Sequence, residues 1–268
     1  MKPKQTSRRV GLARALSKLG YCSRTQAEQL IRTGHVHLNE RPRRDPETPV
    51  HLEHDRITVD GKPIEGQTKV YLMLNKPRGF VTTASDEKGR ETIYTALRAA
   101  RGSQEQLPWV APVGRLDKAS EGLLLLTNDS EWAARVAVPE THLDKTYHVQ
   151  IATVVDDAWM QSLICGARGE DGETLRAKGG RVIRSGHKNC WLEIILDEGK
   201  NRQIRRMLAA RSVEVLRLVR VAIGPLQLGN LPKGTFRPLT KSEKDLLDRA
   251  MAAMKHESPR PRASSADV

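Results

Sequence analysis

The sequence predicts an α+β protein in two parts: a small N-terminal α-β unit, then a larger domain with a mixed, mainly antiparallel sheet and flanking helices. Three observations support this fold class. The chain has 268 residues, enough for two domains. Helix and strand patterns are mixed without a regular βαβ rhythm. A run of four leucines, residues 123–126, is typical of a fully buried strand.

The N-terminal unit is predicted to cover residues 8–64. Its first helix is indicated by three leucines on one face, Leu12, Leu16 and Leu19. Gly20 is a natural stop for this helix. Ser23 is placed to cap a second helix, with Gln26 as its capping-box partner. The segments HVHLNERP and RITVDGKPI then predict short strands with turns.

Residues 65–69 are predicted to be a linker, and residues 70–250 the larger domain. Strand patterns such as KTYHVQIATV and the hairpin RVIRSGHKNCWLEIIL alternate irregularly with helical patterns such as ETIYTALRAA, SEWAARVAVPE and DDAWMQSLICG. A last helix is indicated by KSEKDLLDRAMAAM. Residues 251–268 are predicted to be a disordered tail because SPRPRASSADV has no apolar pattern.

The charge balance indicates a polyanionic partner. The chain has 45 Lys and Arg against 32 Asp and Glu, a formal net charge of +13, which favours binding to nucleic acid or an anionic membrane. No apolar run approaches a membrane span, and the basic N-terminus lacks a signal-peptide core, so nucleic acid is favoured and no membrane partner is expected. The three cysteines show no paired spacing, which predicts reduced thiols in the cytoplasm.

The N-terminal unit is the first candidate for nucleic-acid binding. The first 27 residues of the chain contain seven Lys or Arg and no acid. A solvated face that only keeps the protein soluble is the simpler interpretation of such a charge run. The absence of acids favours RNA or DNA binding, and the residues expected to contact RNA are Arg8, Arg9, Arg14, Lys18 and Arg24. A DNA-binding helix-turn-helix is the rival interpretation.

The segment GRLDKASEGLLLLTND, residues 114–129, contains the first candidate for catalysis. Asp117 precedes the leucine run and follows Arg115. Loops on rigid elements are where catalytic groups concentrate, although a lone aspartate is more often a turn former. Two later segments shift this balance.

The first of these segments is KTYHVQI, where Lys145 and Tyr147 share one face of a predicted strand. The second is EGKNRQIRRM, where four basic residues crowd the start of a helix: Lys200, Arg202, Arg205 and Arg206. Positive charges at a helix N-terminus oppose its dipole. They are better explained by nearby phosphates or a carboxylate than by a solvated face alone.

Three motifs in this order, GRLDKASEGLLLLTND, KTYHV and EGKNRQIRRM, resemble the pseudouridine synthases of the ribosomal small-subunit and large-subunit uridine family (the RsuA-like group). The resemblance covers roughly residues 8–245 and includes LSKLGYCSRTQAEQLIRTGHVHLNERP, which is similar to a small RNA-binding domain shared by a ribosomal protein and several RNA-modifying enzymes. It implies isomerisation of a uridine in ribosomal RNA to pseudouridine, without a cofactor. The target base must be flipped out of the RNA to be reached.

The resemblance also implies roles for individual residues. Asp117 is expected to be ionised, and to act either as a nucleophile on the sugar or as a base that takes a proton from it. Arg205 is expected to pair with that carboxylate, which would offset the cost of burying it. Tyr147 is expected to pack against the uracil and to assist removal of the C5 proton.

Further residues are expected to bind the substrate. Ile204 would form an apolar wall for the ring, and Arg115 would orient the loop or hold a phosphate. Arg202 and Arg206 are expected to contact the RNA. Neither a metal site nor a nucleotide cofactor is expected, because the histidines lack a completing ligand set and nucleotide-loop motifs are missing.

The expected partner is ribosomal RNA, alone or in assembling particles, with the large subunit favoured over the small one. A monomer is the default expectation. The alternative function is a non-catalytic ribosomal RNA-binding assembly factor, which would bind RNA with the same salt sensitivity but would not isomerise uridine. A DNA-binding regulator is a more distant alternative.

Overall fold

The computed structural model describes residues 9–83, 89–101, 107–138, 143–169 and 172–254. The N-terminal unit begins with two short helices that pack on small strands. Its elements are β1 (Val10–Gly11), α1 (Leu12–Lys18), α2 (Arg24–Arg32), β2 (Val36–Leu38), β3 (Arg41–Pro42), β4 (Pro49–Val50), β5 (Ile57–Val59) and β6 (Lys62–Pro63). Strands β3, β2, β5 and β6 form an antiparallel sheet in that order, and β1 pairs with β4.

The predicted helix boundaries of this unit are confirmed. The Ser23 side chain accepts a hydrogen bond from the backbone N–H of Gln26, and the Gln26 side chain accepts one from the backbone N–H of Ser23. This capping box satisfies N–H groups that would otherwise lack partners at the helix start. Gly20 follows α1 with φ of +78°, which glycine adopts at little cost. The helices bury a shared core of apolar side chains, including Leu12, Leu16, Ala27, Ile31, Val36 and Val59.

The larger domain contains the elements that carry the motifs. They are β7 (Tyr71–Lys76), α3 (Ile93–Arg101), β8 (Ala111–Val113), β9 (Glu121–Thr127), α4 (Ser130–Ala137), β10 (Lys145–Ile151), α5 (Asp157–Cys165), β11 (Ala167–Arg168), β12 (Thr174–Leu175), β13 (Gly179–Ser185), β14 (Cys190–Leu196), α6 (Gln203–Ala209), β15 (Val215–Ile223), β16 (Leu226–Gln227), β17 (Phe236–Pro238) and α7 (Lys241–Met254).

The main sheet is mixed and largely antiparallel, which confirms the predicted fold class. Its strands lie in the order β13-β14-β10-β15-β9-β7-β17, with β16 paired to β15 and β8 to β9. The contact between β9 and β15 is parallel, and it joins the half of the sheet that follows the Asp117 loop to the half that contains Tyr147. The segments that contain Asp117 and Tyr147 therefore meet near the middle of one sheet.

The leucine run forms the centre of β9, and all four side chains are fully buried. Leu124 and Leu126 pack on the side of α3, whereas Leu123 and Leu125 pack on the side of α4 and α7. Because successive side chains of a strand point to opposite faces, a strand covered on both faces requires an apolar residue at each position. The run is therefore explained by its place in the sheet.

Gly122 permits the parallel contact between β9 and β15. It pairs with Arg220 and has φ of +103°. A Cβ atom at this position would lie 2.2 Å from the carbonyl oxygen of Arg220 and 2.8 Å from its nitrogen. Only glycine lets two backbones approach this closely.

The N-terminal unit contacts the larger domain through the end of α1 and the following turn. The backbone N–H of Trp109 donates to the Gly20 carbonyl oxygen at 3.0 Å, and that of Gln67 donates to the Leu19 carbonyl oxygen at 3.1 Å. Residues 65–69, the predicted linker, contain neither helix nor strand. Among the described helices, we find none whose length and apolar character would let it cross a bilayer.

The last helix predicted over KSEKDLLDRAMAAM is confirmed, whereas the predicted domain end at residue 250 falls inside it. Helix α7 continues to Met254, beyond the predicted domain end at residue 250. Met251 is 3% exposed and packs in the same core as Leu247, so burial of these side chains extends the helix. Residues 255–268, the rest of the predicted tail, lie outside the described residues, as does Arg8.

We expect Gly122→Ala to destabilise the protein much more than Gly229→Ala. Both glycines have a positive φ, which costs an alanine about 1–2 kcal/mol. A Cβ at Gly229 would meet nothing within 4 Å, whereas one at Gly122 would overlap Arg220. The free energy of unfolding, measured with urea, should fall by about 4 kcal/mol or more in Gly122→Ala. Equal losses in the two variants would contradict the steric explanation.

Candidate active site

The sequence-predicted residues meet in a cleft of about 690 Å³, within the range of small-ligand sites. The cleft lies between the loop after β8, the start of β10, the end of β15 and the loop before α6. Six of the predicted residues line it: Arg115, Asp117, Tyr147, Arg202, Ile204 and Arg205. Segments far apart in the chain are therefore brought together as predicted.

Asp117 lies on the turn that connects β8 to β9. Its carbonyl oxygen accepts a hydrogen bond from the backbone N–H of Ser120 at 3.0 Å, which closes the turn. The carboxylate lines the cleft and is partly exposed. Within the described residues, its side-chain oxygens accept no hydrogen bond and form no ion pair within 4 Å. The backbone of Asp117 is thus fixed while its carboxylate stays available to a substrate.

The side chain of Lys76 stabilises the Asp117 turn, a role that the sequence analysis did not predict. The side chain is fully buried. Its Nζ atom donates to the carbonyl oxygens of Pro77 at 3.1 Å, Asp117 at 3.1 Å and Ser120 at 2.9 Å. The three N–H bonds of an ammonium group match these three acceptors. A lysine at the end of the apolar strand YLMLNK is the sequence signal that could have identified it.

The environment of Lys76 changes its titration. Burial lowers the pKa of this amine to about 8, against the opposing attraction of Asp117 and Glu121. The nearby Arg220 guanidinium lowers the pKa further. At pH 7 the amine still carries its proton, so all three carbonyl oxygens receive a donor.

Arg205 does not form the predicted ion pair with Asp117. Its Nη2 atom donates to the carbonyl oxygen of Ala119 at 3.1 Å, in the same turn. In the described part of the chain, no carboxylate oxygen lies within 4 Å of its guanidinium nitrogens. Burial is the main cause that lowers the pKa of Arg205, and the attraction of Asp117 opposes it. The guanidinium therefore anchors the loop backbone and acts on the carboxylate through space.

Tyr147 and Ile204 form apolar parts of the cleft wall. Tyr147 is half-buried and contacts both the core under α5 and α6 and the core under α3. Ile204 is 4% exposed and lies in the first turn of α6. Arg115 and Arg202 are exposed at the rim. The cleft therefore has an apolar wall at Tyr147 and Ile204 and exposed cations at its rim.

The start of α6 is stabilised by Gln203, another residue that the sequence analysis missed. Gln203 is buried, and its Nε2 atom donates to the Arg176 carbonyl oxygen at 2.8 Å and to the Glu198 carboxylate. Arg202, just before it, has φ of +47° and caps the helix without a side-chain hydrogen bond. These contacts set the orientation of Ile204 and Arg205, which follow Gln203 in the helix.

The placement of Arg206 does not support its predicted contact with the substrate. Arg206 is not among the residues that line the cleft. Its Nη2 atom lies 3.0 Å from the Glu173 carboxylate, which also binds Lys200 at 3.1 Å. Arg206 follows Arg205 in the helix and so points about 100° away from it.

The predicted RNA-binding residues of the N-terminal unit have different surroundings. Arg14 and Arg24 are exposed. Lys18 forms an ion pair with Glu131 of the larger domain at 3.1 Å, so it takes part in the contact between the two parts. The Nε atom of Arg9 donates to the His51 ring at 2.6 Å. Arg14 and Arg24 are therefore the better placed for RNA.

We expect Lys76→Met to loosen the Asp117 turn. Three carbonyl oxygens would lose their buried donor, so the free energy of unfolding should fall by about 2–4 kcal/mol. Urea denaturation at pH 7 measures this change. Lys178→Met is a control, because Lys178 forms a half-exposed ion pair with Asp144 and should contribute less than about 1 kcal/mol. An unchanged stability of Lys76→Met would contradict the anchoring role.

The pH dependence of stability gives a separate prediction. Between the folded pKa of about 8 and the ordinary value of 10.5, the unfolded chain binds more protons at Lys76 than the folded chain does. Lys76 therefore makes stability rise with pH in this window, by at most about 1.4 kcal/mol per pH unit. The slope between pH 8 and 10 should be smaller in Lys76→Met than in the wild type. Identical slopes would show that Lys76 does not titrate there.

Two family models match the chain. The RNA pseudouridylate synthase model matches residues 70–210, and the S4 domain model matches residues 10–57. A solved structure described as a pseudouridylate synthase superposes with a TM-score of 0.59 at 28% identity, covering 89% of this chain and 99% of that one. The first matched region lies in the larger domain and the second in the N-terminal unit.

Curated relatives agree with these models. An uncharacterised RNA pseudouridine synthase of Aquifex aeolicus is 38% identical over 87% of this chain and 92% of its own. Ribosomal large subunit pseudouridine synthase B of Bacillus subtilis is 35% identical over 87% of this chain and 93% of its own. With its cleft, its N-terminal S4 domain and these matches, the chain belongs to the RNA pseudouridylate synthase family.

Proposed function

We propose that this protein isomerises a uridine of ribosomal RNA to pseudouridine, and that the RNA belongs to the large ribosomal subunit. The observation that carries the proposal is the Asp117 carboxylate, which faces the cleft without a hydrogen-bond partner among the described residues while its backbone is anchored. The similarity to the large-subunit synthase of Bacillus subtilis supports the choice of RNA. As part of this proposal, we place the protein in the cytoplasm with its substrate.

Asp117 is the proposed catalytic carboxylate. It would act on the ribose, either by attacking C1′ or by taking a proton from C2′. Both roles need a carboxylate whose oxygens are not engaged by the protein. Lys76 and Arg205 hold the turn through backbone carbonyl oxygens, so their positive charges attract the carboxylate without covering it.

Tyr147 and Ile204 are the proposed walls for the uracil ring. A planar base that leaves the RNA stack needs an apolar or aromatic surface to replace its stacking partners. Tyr147 offers one such surface beside Asp117, and its phenol is proposed to assist removal of the C5 proton. Both residues belong to a strand and a helix that are packed in the core, so the walls are rigid.

The cations outside the cleft are proposed to bind the RNA backbone. Arg115 and Arg202 lie exposed at the rim, where they would hold phosphates next to the flipped nucleotide. Arg14 and Arg24 of the S4 domain would contact a more distant part of the RNA. In this proposal, exposed arginines bind the RNA backbone, and the residues inside the cleft act on a single base.

We expect Asp117→Asn to abolish isomerisation while RNA binding is retained. Loss of the reactive carboxylate should lower the single-turnover rate by about a thousandfold or more, measured as pseudouridine formed in large-subunit ribosomal RNA fragments. The dissociation constant should change by less than about twofold. Asp157→Asn, an exposed aspartate at the start of α5, is the matched control.

The same assay tests the function as a whole. If the wild-type protein converted no uridine in free RNA or in assembling subunits, the isomerase proposal would be refuted in favour of a non-catalytic binding factor. If only small-subunit RNA were converted, the isomerase would stand and the choice of RNA would be wrong.

We expect the double variant Arg14→Gln and Arg24→Gln to weaken RNA binding in a salt-dependent manner. Removal of two phosphate contacts should reduce the slope of log affinity against log salt by roughly 1.4–1.8. Filter binding at several KCl concentrations measures the slope. A double variant in the β13–β14 hairpin, Arg184→Gln and Lys188→Gln, removes the same charge elsewhere. Equal slopes in both double variants would indicate a purely general charge effect.

A further inference from the structure

Arg220 occupies an unusual place beside the candidate catalytic tyrosine. The register of β10 and β15 pairs Thr146 with Ala222 and Tyr147 with Arg220, which leaves Val221 as an extra residue in β15. Bulges of this kind re-aim side chains and are common next to active sites. Directly paired residues place their side chains side by side on the same face, so the guanidinium of Arg220 neighbours the phenol of Tyr147.

The guanidinium of Arg220 is buried but not fully satisfied. Arg220 is 6% exposed and lines the cleft. Its Nε atom donates to the carbonyl oxygen of Leu123 at 2.7 Å, whereas its Nη2 atom has no hydrogen-bond partner in the described part of the chain. A buried cationic donor without a partner is costly. This cost is explained if a ligand supplies negative charge in the cleft.

Lys145, which is half-buried, adds a second positive charge near Arg220 in the same cleft. It lies two residues before Tyr147 on β10 and lines the cleft. Burial lowers the pKa of Lys145, and Arg220 lowers it further, while Asp144 and Asp197 act in the opposite direction. Asp144 is already bound by Lys178 at 2.8 Å. In the described residues, Lys145 itself forms no ion pair and no side-chain hydrogen bond.

The depth of these cations indicates which part of the RNA they meet. Arg115 and Arg202 are exposed at the rim, where the RNA backbone passes. Arg220 is buried at the floor, beside the proposed wall for the uracil ring. The phosphates of the RNA stay in its backbone, which passes along the rim of the cleft, so they would not reach the depth of Arg220. The group that enters the cleft is the base.

We propose that Lys145 and Arg220 bind the oxygens of the uracil ring and stabilise the negative charge that the ring carries after its bond to ribose breaks. The inference rests on the proposed isomerase function. When the C1′–N1 bond breaks, its electron pair stays on the ring and spreads to O2 and O4. The ring turns, C5 forms the new bond to C1′, C5 loses its proton and N1 gains one. Atoms and electrons balance without an oxidant or reductant.

Fixed cations at the place where charge develops lower the barrier because they need no reorganisation during the reaction. Removal of one such donor typically costs about 100-fold to 1,000-fold in rate. The donors act on the transition state more strongly than on the neutral base. Loss of either cation should therefore reduce the rate of the chemical step while RNA affinity changes little.

The test compares two substrates under single-turnover conditions with saturating full-length protein. One RNA contains uridine at the target position and the other contains 5-fluorouridine. Fluorine withdraws electron density, so the departing ring holds its negative charge better and depends less on the protein. We expect Lys145→Met to slow consumption of uridine by about 100-fold. The same variant should slow consumption of 5-fluorouridine by at most about 10-fold.

The controls separate chemistry from folding and from binding. Lys118→Met removes an exposed cation from the Asp117 turn and should slow both substrates equally or not at all. Arg220→Gln should repeat the Lys145→Met pattern, with Arg220→Lys restoring part of the rate. If Arg220→Gln does not fold, Lys145→Met decides the question, because it breaks no hydrogen bond of the described structure.

Three outcomes would overturn the inference. Equal losses on the two substrates would mean that the cations do not act on the ring. An unchanged rate with a weaker dissociation constant would indicate a phosphate site. Unimpaired Lys145→Met would leave this lysine without a role in the reaction. If the wild-type protein consumed neither substrate, the proposed function would have failed, which is a different result from any of these.

Discussion

The ammonium group of Lys76, surrounded by three backbone carbonyl oxygens, is the interaction on which the active-site turn depends. It joins the end of β7 to the carbonyl oxygens of Asp117 and Ser120, and Arg205 adds a fourth contact from α6. Both cations bind the main chain and leave the carboxylate uncovered. A carboxylate that had to fix its own loop would lose acceptor capacity, so this division of tasks keeps the Asp117 carboxylate available to a substrate.

The basic residues of this protein have different roles according to how deeply they are buried. Exposed arginines at the rim and on the S4 domain are screened by salt and suit the RNA backbone. The buried cations Lys76 and Arg220, with the half-buried Lys145 beside them, lie where the dielectric constant is lower and each charge acts more strongly. Lys76 is satisfied by carbonyl oxygens, whereas the Nη2 atom of Arg220 has no hydrogen-bond partner among the described residues. The net charge of +13 therefore combines contributions with different physical roles.

Much of the fold and part of the site could be predicted from the sequence because their signals are local. The capping box at Ser23, the glycine after α1 and the buried leucine strand each follow from short patterns. The ordered motifs identified Asp117, Tyr147 and Arg205 as neighbours. The partners of the basic residues could not be predicted, because they are distant in sequence and meet only in the folded chain. The pairs are Arg205 with the Ala119 carbonyl oxygen, Arg206 with Glu173, and Lys18 with Glu131.

Asp117 and the leucine run are adjacent in sequence because the turn that lines the cleft leads directly into the buried strand β9. Gly122 lets the backbone of Arg220 approach β9, and the Leu123 carbonyl oxygen then receives the Arg220 guanidinium. A shift of β9 by one residue would still leave leucines on both covered faces, but it would move Gly122 away from Arg220 and displace this guanidinium from the cleft. The close contact between Gly122 and Arg220 therefore helps to fix the register, and the register determines where the Arg220 guanidinium lies relative to the Asp117 turn. Packing of the sheet and the geometry of the cleft therefore depend on the same few residues.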